Sequence, residues 1–189
     1  MKPLTRLLGR LLHDVHAGER YLSVNHPALK NLPETITLRS EWFEPGASIP
    51  LEAAGNGVGA NVSPPLSWEG APKHTRGYLL VIQDPDAPLP RPFVHLIALG
   101  IRPEHRSLDK NELAENGSAA PYGRNTSGRR GYQGPRALPA HGPHRYVFHL
   151  MALSEPSVLG RSGNLNAVLE ANVAKVIAHG VLIGTFEQK

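Results

Sequence analysis

The sequence contains no cysteine among its 189 residues. This absence excludes a disulfide framework, a thiol nucleophile and a thiolate metal site. The sequence also has no run approaching the ~18 consecutive apolar residues of a membrane span, and no continuous apolar core of the kind that a signal peptide requires. We therefore expect no membrane span and take a cytoplasmic location as the default.

Charge is also sparse, since charged residues make up 19% of the chain and the net charge is +4 with histidine counted as neutral. This is far below the basic density of a nucleic-acid-binding domain, so no nucleic-acid partner is predicted. Hydrophobic residues make up 40% of the chain, which is enough for the core of one domain. The 19 glycines and 18 prolines favour turns and long loops over a helical bundle.

The first residues carry a helical apolar stripe. Leucines and a valine recur there at helical spacing, at Leu4, Leu7, Leu8, Leu11, Leu12 and Val15. One interpretation is a helix that packs on its own domain or on a second copy in a homodimer. The other is an interfacial membrane anchor, because basic residues are interleaved with the leucines. We divide the chain into this helix with its connector, residues 1–31, and a domain of residues 32–189.

The rest of the sequence predicts a β-rich α+β domain with a helix near each end. Residues 35–42 alternate as in a half-buried strand, whereas three later runs are apolar at both odd and even positions, as in strands covered on both faces. Those runs are Gly77–Gln83, Pro92–Ile101 and His144–Leu153. An apolar helical face then extends from Leu165 to Ile177, with Asn164 as its N-cap and Gly180 as its stop, and a strand over 181–186 closes the domain.

Two carboxylates occur in one proline-stiffened turn, Asp84-Pro-Asp86-Ala-Pro, directly after an apolar run. Such a turn holds both side chains with little freedom, which suits ligand binding. The alternative is an ordinary turn in which each carboxylate caps its own backbone.

Histidines supply the other candidate groups. His95 is the one polar side chain in an otherwise apolar strand, and His144 and Tyr146 share a face of a later strand. Nearby carboxylates could hold one nitrogen of His95 and raise the pKa of the imidazole, which would leave an N–H facing an anion. The alternative is a structural histidine bonded to a backbone carbonyl. No metal-ligand spacing, nucleophile elbow or phosphate loop accompanies these residues, so we predict no metal, no cofactor and no covalent catalysis.

Residues 116–154 contain no aspartate or glutamate but several arginines. This stretch is either a solvated basic surface or a loop that attracts anions.

Four blocks, in order along the chain, resemble the phosphatidylethanolamine-binding protein family, most closely its bacterial Raf-kinase-inhibitor-like branch. They are Asn61-Val-Ser-Pro-Pro-Leu-Ser-Trp68, Asp84-Pro-Asp-Ala-Pro88, Phe93-Val-His95, and Gly134-Pro135 through His144-Arg-Tyr146. The resemblance covers about residues 32–188. Phe93, Gly100 and Ala140 depart from what is usual in the family, and residues 1–31 lie outside the match.

The resemblance implies a β-sandwich core with a small pocket for phosphate-like anions or the phosphoethanolamine head group. By motif position, Asp84 and Asp86 would orient and charge the site, while His95 and His144 would donate to the anion. Tyr146 would line the pocket, and Gly134 and Pro135 would shape its rim. The implied function is non-enzymatic binding, with regulation of a kinase or protease as a further possibility and no protein partner indicated. The alternative is a hydrolase that uses a pocket histidine as general acid or base.

Overall fold

The computed structural model describes residues 2–115, 117 and 120–188. In this part of the chain two α-helices and seven strands follow one another in the order α1 (Lys2–Leu11), β1 (Thr37–Arg39), β2 (Leu66–Glu69), β3 (Gly77–Asp84), β4 (Phe93–Ile101), β5 (Ser107–Leu108), β6 (His144–Leu153), α2 (Leu165–Asn172) and β7 (Val176–Phe186). The strands form two antiparallel sheets, β1-β2-β5 and β4-β3-β6-β7. The predicted β-rich fold is confirmed.

The larger sheet is covered on both faces. Leu80 and Phe148 belong to the core that also includes Trp68 of the smaller sheet. Leu79 and Met151, at alternate positions of the same strands, pack in a second cluster with Val168 of α2. This double coverage explains why the runs that form β3, β4 and β6 are apolar at both parities.

The end of the predicted C-terminal helix is wrong. Asn164 caps α2 as expected, because its side chain accepts a hydrogen bond from the N–H of Ala167 at 3.0 Å. The helix nevertheless ends at Asn172, and Gly180 lies inside β7 rather than at a helix stop. A Cβ at this glycine would lie 2.0 Å from the carbonyl oxygen of Ile36, so the glycine permits close packing of two backbones.

The helix α1 is present, but it does not pack through its leucines. The residue that meets the domain is Gly9, where a Cβ would lie 2.0 Å from the carbonyl oxygen of Pro139. Leu4, Leu7 and Leu11 remain exposed. The helix therefore lies on its own domain, which is one of the expected arrangements, but it does so through the face opposite to Leu4, Leu7 and Leu11. None of the helices in the described ranges is long and apolar enough to cross a membrane.

A buried histidine in β6 makes the fold sensitive to acid. His149 is fully buried, and its Nδ1 lies 2.8 Å from Oγ of Ser23. Burial, with a smaller contribution from the neighbouring His179, lowers the pKa of His149 to about 3. In the unfolded state the histidine has an ordinary pKa of ~6.5, so it binds a proton at a pH where the folded state does not. The stability of the fold therefore decreases as the pH drops below ~6.5.

We expect His149→Gln to reduce this pH dependence. Each titrating proton contributes a slope of ~1.4 kcal/mol per pH unit in the window between the two pKa values. Urea unfolding at pH 7 and pH 5 measures the slope. His74→Gln replaces an exposed histidine and is the control, which should retain the slope of the wild type. Equal slopes in His149→Gln and wild type would contradict the prediction.

Candidate functional site

The antiparallel strand order gathers the predicted residues at one edge of the larger sheet. β3 ends at Asp84, opposite Phe93 at the start of β4. On the other side of β3, β6 begins with His144. Because the strands alternate in direction, the end of β3 meets the beginnings of both neighbours, and residues about 60 positions apart in sequence become adjacent.

Asp84 uses both of its carboxylate oxygens. Oδ1 accepts the backbone N–H groups of Asp86 and Ala87 at 2.8 and 3.0 Å, which fixes the turn after β3. Oδ2 lies 2.8 Å from Nδ1 of His144. The two side chains are buried, so this is a desolvated contact in which the carboxylate accepts the Nδ1–H of the ring.

His144 extends this contact into a chain of hydrogen bonds through His141. Nε2 of His144 lies 2.9 Å from Nδ1 of His141, and Nε2 of His141 lies 3.2 Å from the carbonyl oxygen of Val15. The two outer nitrogens face oxygen acceptors. If each of them carries a proton, the inner contact is a hydrogen bond only when one ring holds a second proton.

The surroundings of the two rings differ. Burial, followed by the charge of His144, lowers the pKa of His141. His144 in turn faces the carboxylate of Asp84, which stabilises an imidazolium. The contact with Asp84 therefore favours His144 over His141 as the ring that carries a second proton.

His95 adopts the structural alternative considered for it. Its Nδ1 lies 2.6 Å from the carbonyl oxygen of Gln133, so this nitrogen donates to backbone and not to a carboxylate. Burial lowers the pKa of His95 and outweighs the nearby charge of Asp84, contrary to the expected rise. The ring is thus neutral, and its buried Nε2, which has no partner among the described residues, is an acceptor.

Asp86 and Tyr146 do not reach the cavity. The carboxylate of Asp86 accepts three hydrogen bonds from Arg145, from the backbone N–H, Nε and Nη2, at 2.7–2.8 Å. Tyr146 lies beneath the site, edge to face with His95 at 5.1 Å between ring centroids. Burial raises the pKa of the Tyr146 hydroxyl well above its usual value.

A cavity of about 440 Å³ opens at this edge of the sheet. Four of the seven predicted site residues line it, namely Asp84, His95, Gly134 and His144, whereas Asp86, Pro135 and Tyr146 do not. The carbonyl of Pro135 instead accepts the N–H of Gly55 at 2.8 Å. The remaining wall includes Phe93, Ser127, Gln133 and Arg136, and on the side of α1 it includes Leu8 and Leu12.

Sequence reasoning missed His141 and the leucines of α1 as neighbours of the site. His141 precedes His144 by three residues inside the recognised block, and this spacing was the available signal. No sequence pattern indicated that the N-terminal segment lies beside the cavity. The hydrogen bond between His141 and Val15 joins stretches that are more than 100 residues apart. Within residues 2–115, 117 and 120–188, no three His, Asp or Glu side chains are grouped to hold a metal ion.

Comparison with protein families matches residues 39–187 to the family described as phosphatidylethanolamine-binding protein. Among curated relatives, a UPF0098 protein from Methanothermobacter thermautotrophicus is 36% identical over 81% of this chain and 99% of its own length. A protein named putative lipoprotein LppC from Mycobacterium tuberculosis is 36% identical over 82% of this chain and 73% of its own length.

Solved structures agree with this match. A protein from Chlamydia trachomatis, described as a putative phosphatidylethanolamine-binding protein homolog, has a TM-score of 0.73 and 29% identity over 82% of this chain and 99% of its own. Escherichia coli YbcL, described as a member of the mammalian PEBP family, has the same TM-score with 25% identity over 82% of this chain and 99% of its own.

Proposed function

Because the chain belongs to the phosphatidylethanolamine-binding protein family, we propose that its cavity binds a phosphate-like anion, such as the phosphoethanolamine head group. The observation that carries this proposal is the buried contact between Asp84 and His144 on the cavity wall. The carboxylate orients the imidazole through Nδ1, and an imidazolium preorganised in this way is a strong donor to an anion.

The bound anion replaces His141 as the acceptor. Nε2–H of His144 is engaged by His141 at 2.9 Å, whereas His144 but not His141 lines the cavity. An anionic oxygen accepts a hydrogen bond from a cation more strongly than a neutral imidazole does. In the absence of ligand, His141 therefore accepts the hydrogen bond from Nε2–H of His144.

His95 contributes a hydrogen-bond acceptor to the cavity, whereas His144 contributes a donor. Its neutral Nε2 is an acceptor buried at the cavity. It can accept a hydrogen bond from the hydroxyl of a phosphate monoester or from an ammonium group. A cavity with one cationic donor and one neutral acceptor fits a ligand that carries both an anion and an N–H or O–H group.

The arrangement favours binding over turnover. Both nitrogens of His144 are engaged, by Asp84 and His141, and Nδ1 of His95 is engaged by a backbone carbonyl. Neither ring activates a hydroxyl nucleophile in this arrangement, which general-base catalysis of acyl or phosphoryl transfer would require.

Sulfate tests the proposal, because its charge does not change between pH 6 and pH 8. We expect sulfate to raise the melting temperature of the wild type more at pH 6 than at pH 8, since the donor is an imidazolium. His144→Gln removes that donor and is expected to abolish the sulfate-induced increase. Each variant is compared with itself without sulfate, so a change in its basal stability does not affect the result.

His141→Ala is the matched variant, and we expect it to change the effect of sulfate on the melting temperature in the opposite direction. It removes the competing acceptor and is expected to enlarge the sulfate-induced increase in melting temperature. The same titration with phosphoethanolamine tests the head group. An undiminished increase in His144→Gln, or a lost one in His141→Ala, would contradict the role of His144 as the donor.

A further inference from the structure

The helix α1 contacts the domain through the side opposite to Leu4, Leu7 and Leu11. With 3.6 residues per turn, Leu4, Leu7 and Leu11 lie on one side and Gly9 lies on the other. Gly9 is buried against the backbone at Pro139. An amphipathic helix of a globular protein normally turns its apolar face to the core. Here that face is presented outward.

The outward face is large and almost purely aliphatic. Exposed fractions are 75% for Leu4, 53% for Leu7, 45% for Leu8 and 72% for Leu11. A contiguous group of exposed leucines of this kind marks a surface that binds an apolar partner. We call these four side chains the leucine face.

The leucine face is continuous with the cavity. Leu8 belongs both to this face and to the cavity wall, and Leu12, one turn further on, also lines the cavity. Leu89, which is 39% exposed, lies on the same wall. The cavity that holds the proposed anion donor therefore opens beside aliphatic surface.

Exposed positive charge flanks the leucine face. Arg6 and Arg10 are exposed on α1, and the sequence has no acidic residue before Asp14. On the other side, Arg136 lines the cavity and is exposed. Two copies joined through the leucine face would bring these arginines toward each other. A surface with anionic groups above an apolar layer complements both the charges and the leucines.

We propose that the leucine face docks on a phospholipid bilayer containing anionic lipid, with the cavity opening at the level of the head groups. The inference rests on the proposed function, because the docked cavity is the one that binds the phosphate group. The 10 residues of α1 are about 15 Å long, so the helix lies on the bilayer and does not cross it.

Vesicle sedimentation with the full chain tests the docking. The probes are vesicles of phosphatidylcholine alone and of phosphatidylcholine with phosphatidylglycerol. We expect wild type to bind the anionic vesicles more tightly, with binding weakened by salt. L4Q/L7Q/L11Q is expected to lower the affinity at least tenfold. Glutamine preserves helix propensity, and none of the three leucines lines the cavity.

L51Q/V158Q/L159Q is the matched control, since it replaces three exposed apolar side chains outside α1 and should bind vesicles as wild type does. Wild-type affinity in the L4Q/L7Q/L11Q variant would overturn the proposal. So would a wild-type dimer in light scattering that dissociates in this variant without any vesicle binding, because a second copy would then cover the face.

The sulfate experiment separates this inference from the proposed function. L4Q/L7Q/L11Q is expected to keep the sulfate-induced rise in melting temperature while losing vesicle binding, and this combination supports both proposals. Leucine-dependent vesicle binding without any sulfate effect in wild type would support the docking and contradict the anion site.

Discussion

Asp84→Ala is expected to lower the free energy of unfolding by about 3–5 kcal/mol, the usual cost of removing one partner from a buried charged contact. The substitution leaves Nδ1 of His144 and two N–H groups of the turn without their acceptor. Urea unfolding at pH 7 measures the loss. Asp109→Ala removes an exposed carboxylate and is the control, for which we expect a change within about 0.5 kcal/mol.

Asp84→Asn separates the charge from the geometry. The asparagine oxygen still accepts the N–H groups of Asp86 and Ala87, so its NH₂ group faces Nδ1 of His144. That nitrogen then becomes an acceptor, and the ring proton moves to Nε2, where it donates to His141 without any extra proton. Nitrogen NMR of the rings is expected to show one imidazolium in the wild type and two neutral rings in the variant. An imidazolium that persists in Asp84→Asn would contradict the assignment.

Arg145→Met is expected to destabilise the fold by about 2–3 kcal/mol, less than a fully buried pair because the arginine side chain is 43% exposed. Asp86 would lose a bidentate partner, at 2.8 Å to Nε and 2.7 Å to Nη2. Glu19, on the N-terminal segment, would lose its bond to Nη1 at 2.5 Å. Methionine retains most of the side-chain length, so the loss reports the charge and its hydrogen bonds.

The pH dependence of this effect has a definite sign. Burial alone would raise the pKa of Asp86, but the hydrogen bonds from Arg145 outweigh it and hold the pKa in the folded state below the usual aspartate value. The contribution of the pair is therefore present above the unfolded pKa of ~3.9 and is lost as the pH falls through the folded value. The difference in the free energy of unfolding between wild type and Arg145→Met should become smaller as the pH is lowered from 5 to 3.

The chain offers an exposed pair for comparison. Arg39 and Glu69 lie 2.6 Å apart, but their side chains are 59% and 66% exposed. Arg39→Met is expected to cost less than about 1 kcal/mol, as exposed ion pairs do. Equal losses in Arg145→Met and Arg39→Met would show that the Asp86 contact is worth no more than a surface pair.

The parts of the fold that follow from local pattern could be predicted from the sequence. Strands β3, β4 and β6 appear as apolar runs because both of their faces are covered, and Asn164 caps α2 through its own side chain. Gly180 is different, because its role depends on the backbone of Ile36, which no local pattern encodes. The outward orientation of α1 could not be predicted either, since periodicity gives the apolar face of a helix but not its direction.

The candidate site shows the same difference between features that follow from local sequence and features that depend on distant residues. The residue types at the cavity follow from short motifs, and Asp84, His95, Gly134 and His144 line it together. The hydrogen-bond partner of each residue does not follow, because a motif gives residue types but not which groups meet between strands. Asp86 binds Arg145, the neighbour of His144, and the Nδ1–H of His95 donates to backbone.

The N-terminal segment is also joined to the acidic turn through its backbone. The N–H groups of Ala17 and Gly18 donate to the carbonyls of Ala87 and Pro85, each at 2.9 Å. Residues 17 and 18 precede the region matched to the family, so a stretch outside that region holds the turn that contains Asp84 and Asp86. Removal of the first 18 residues would therefore loosen the turn after β3 as well as taking away a helix.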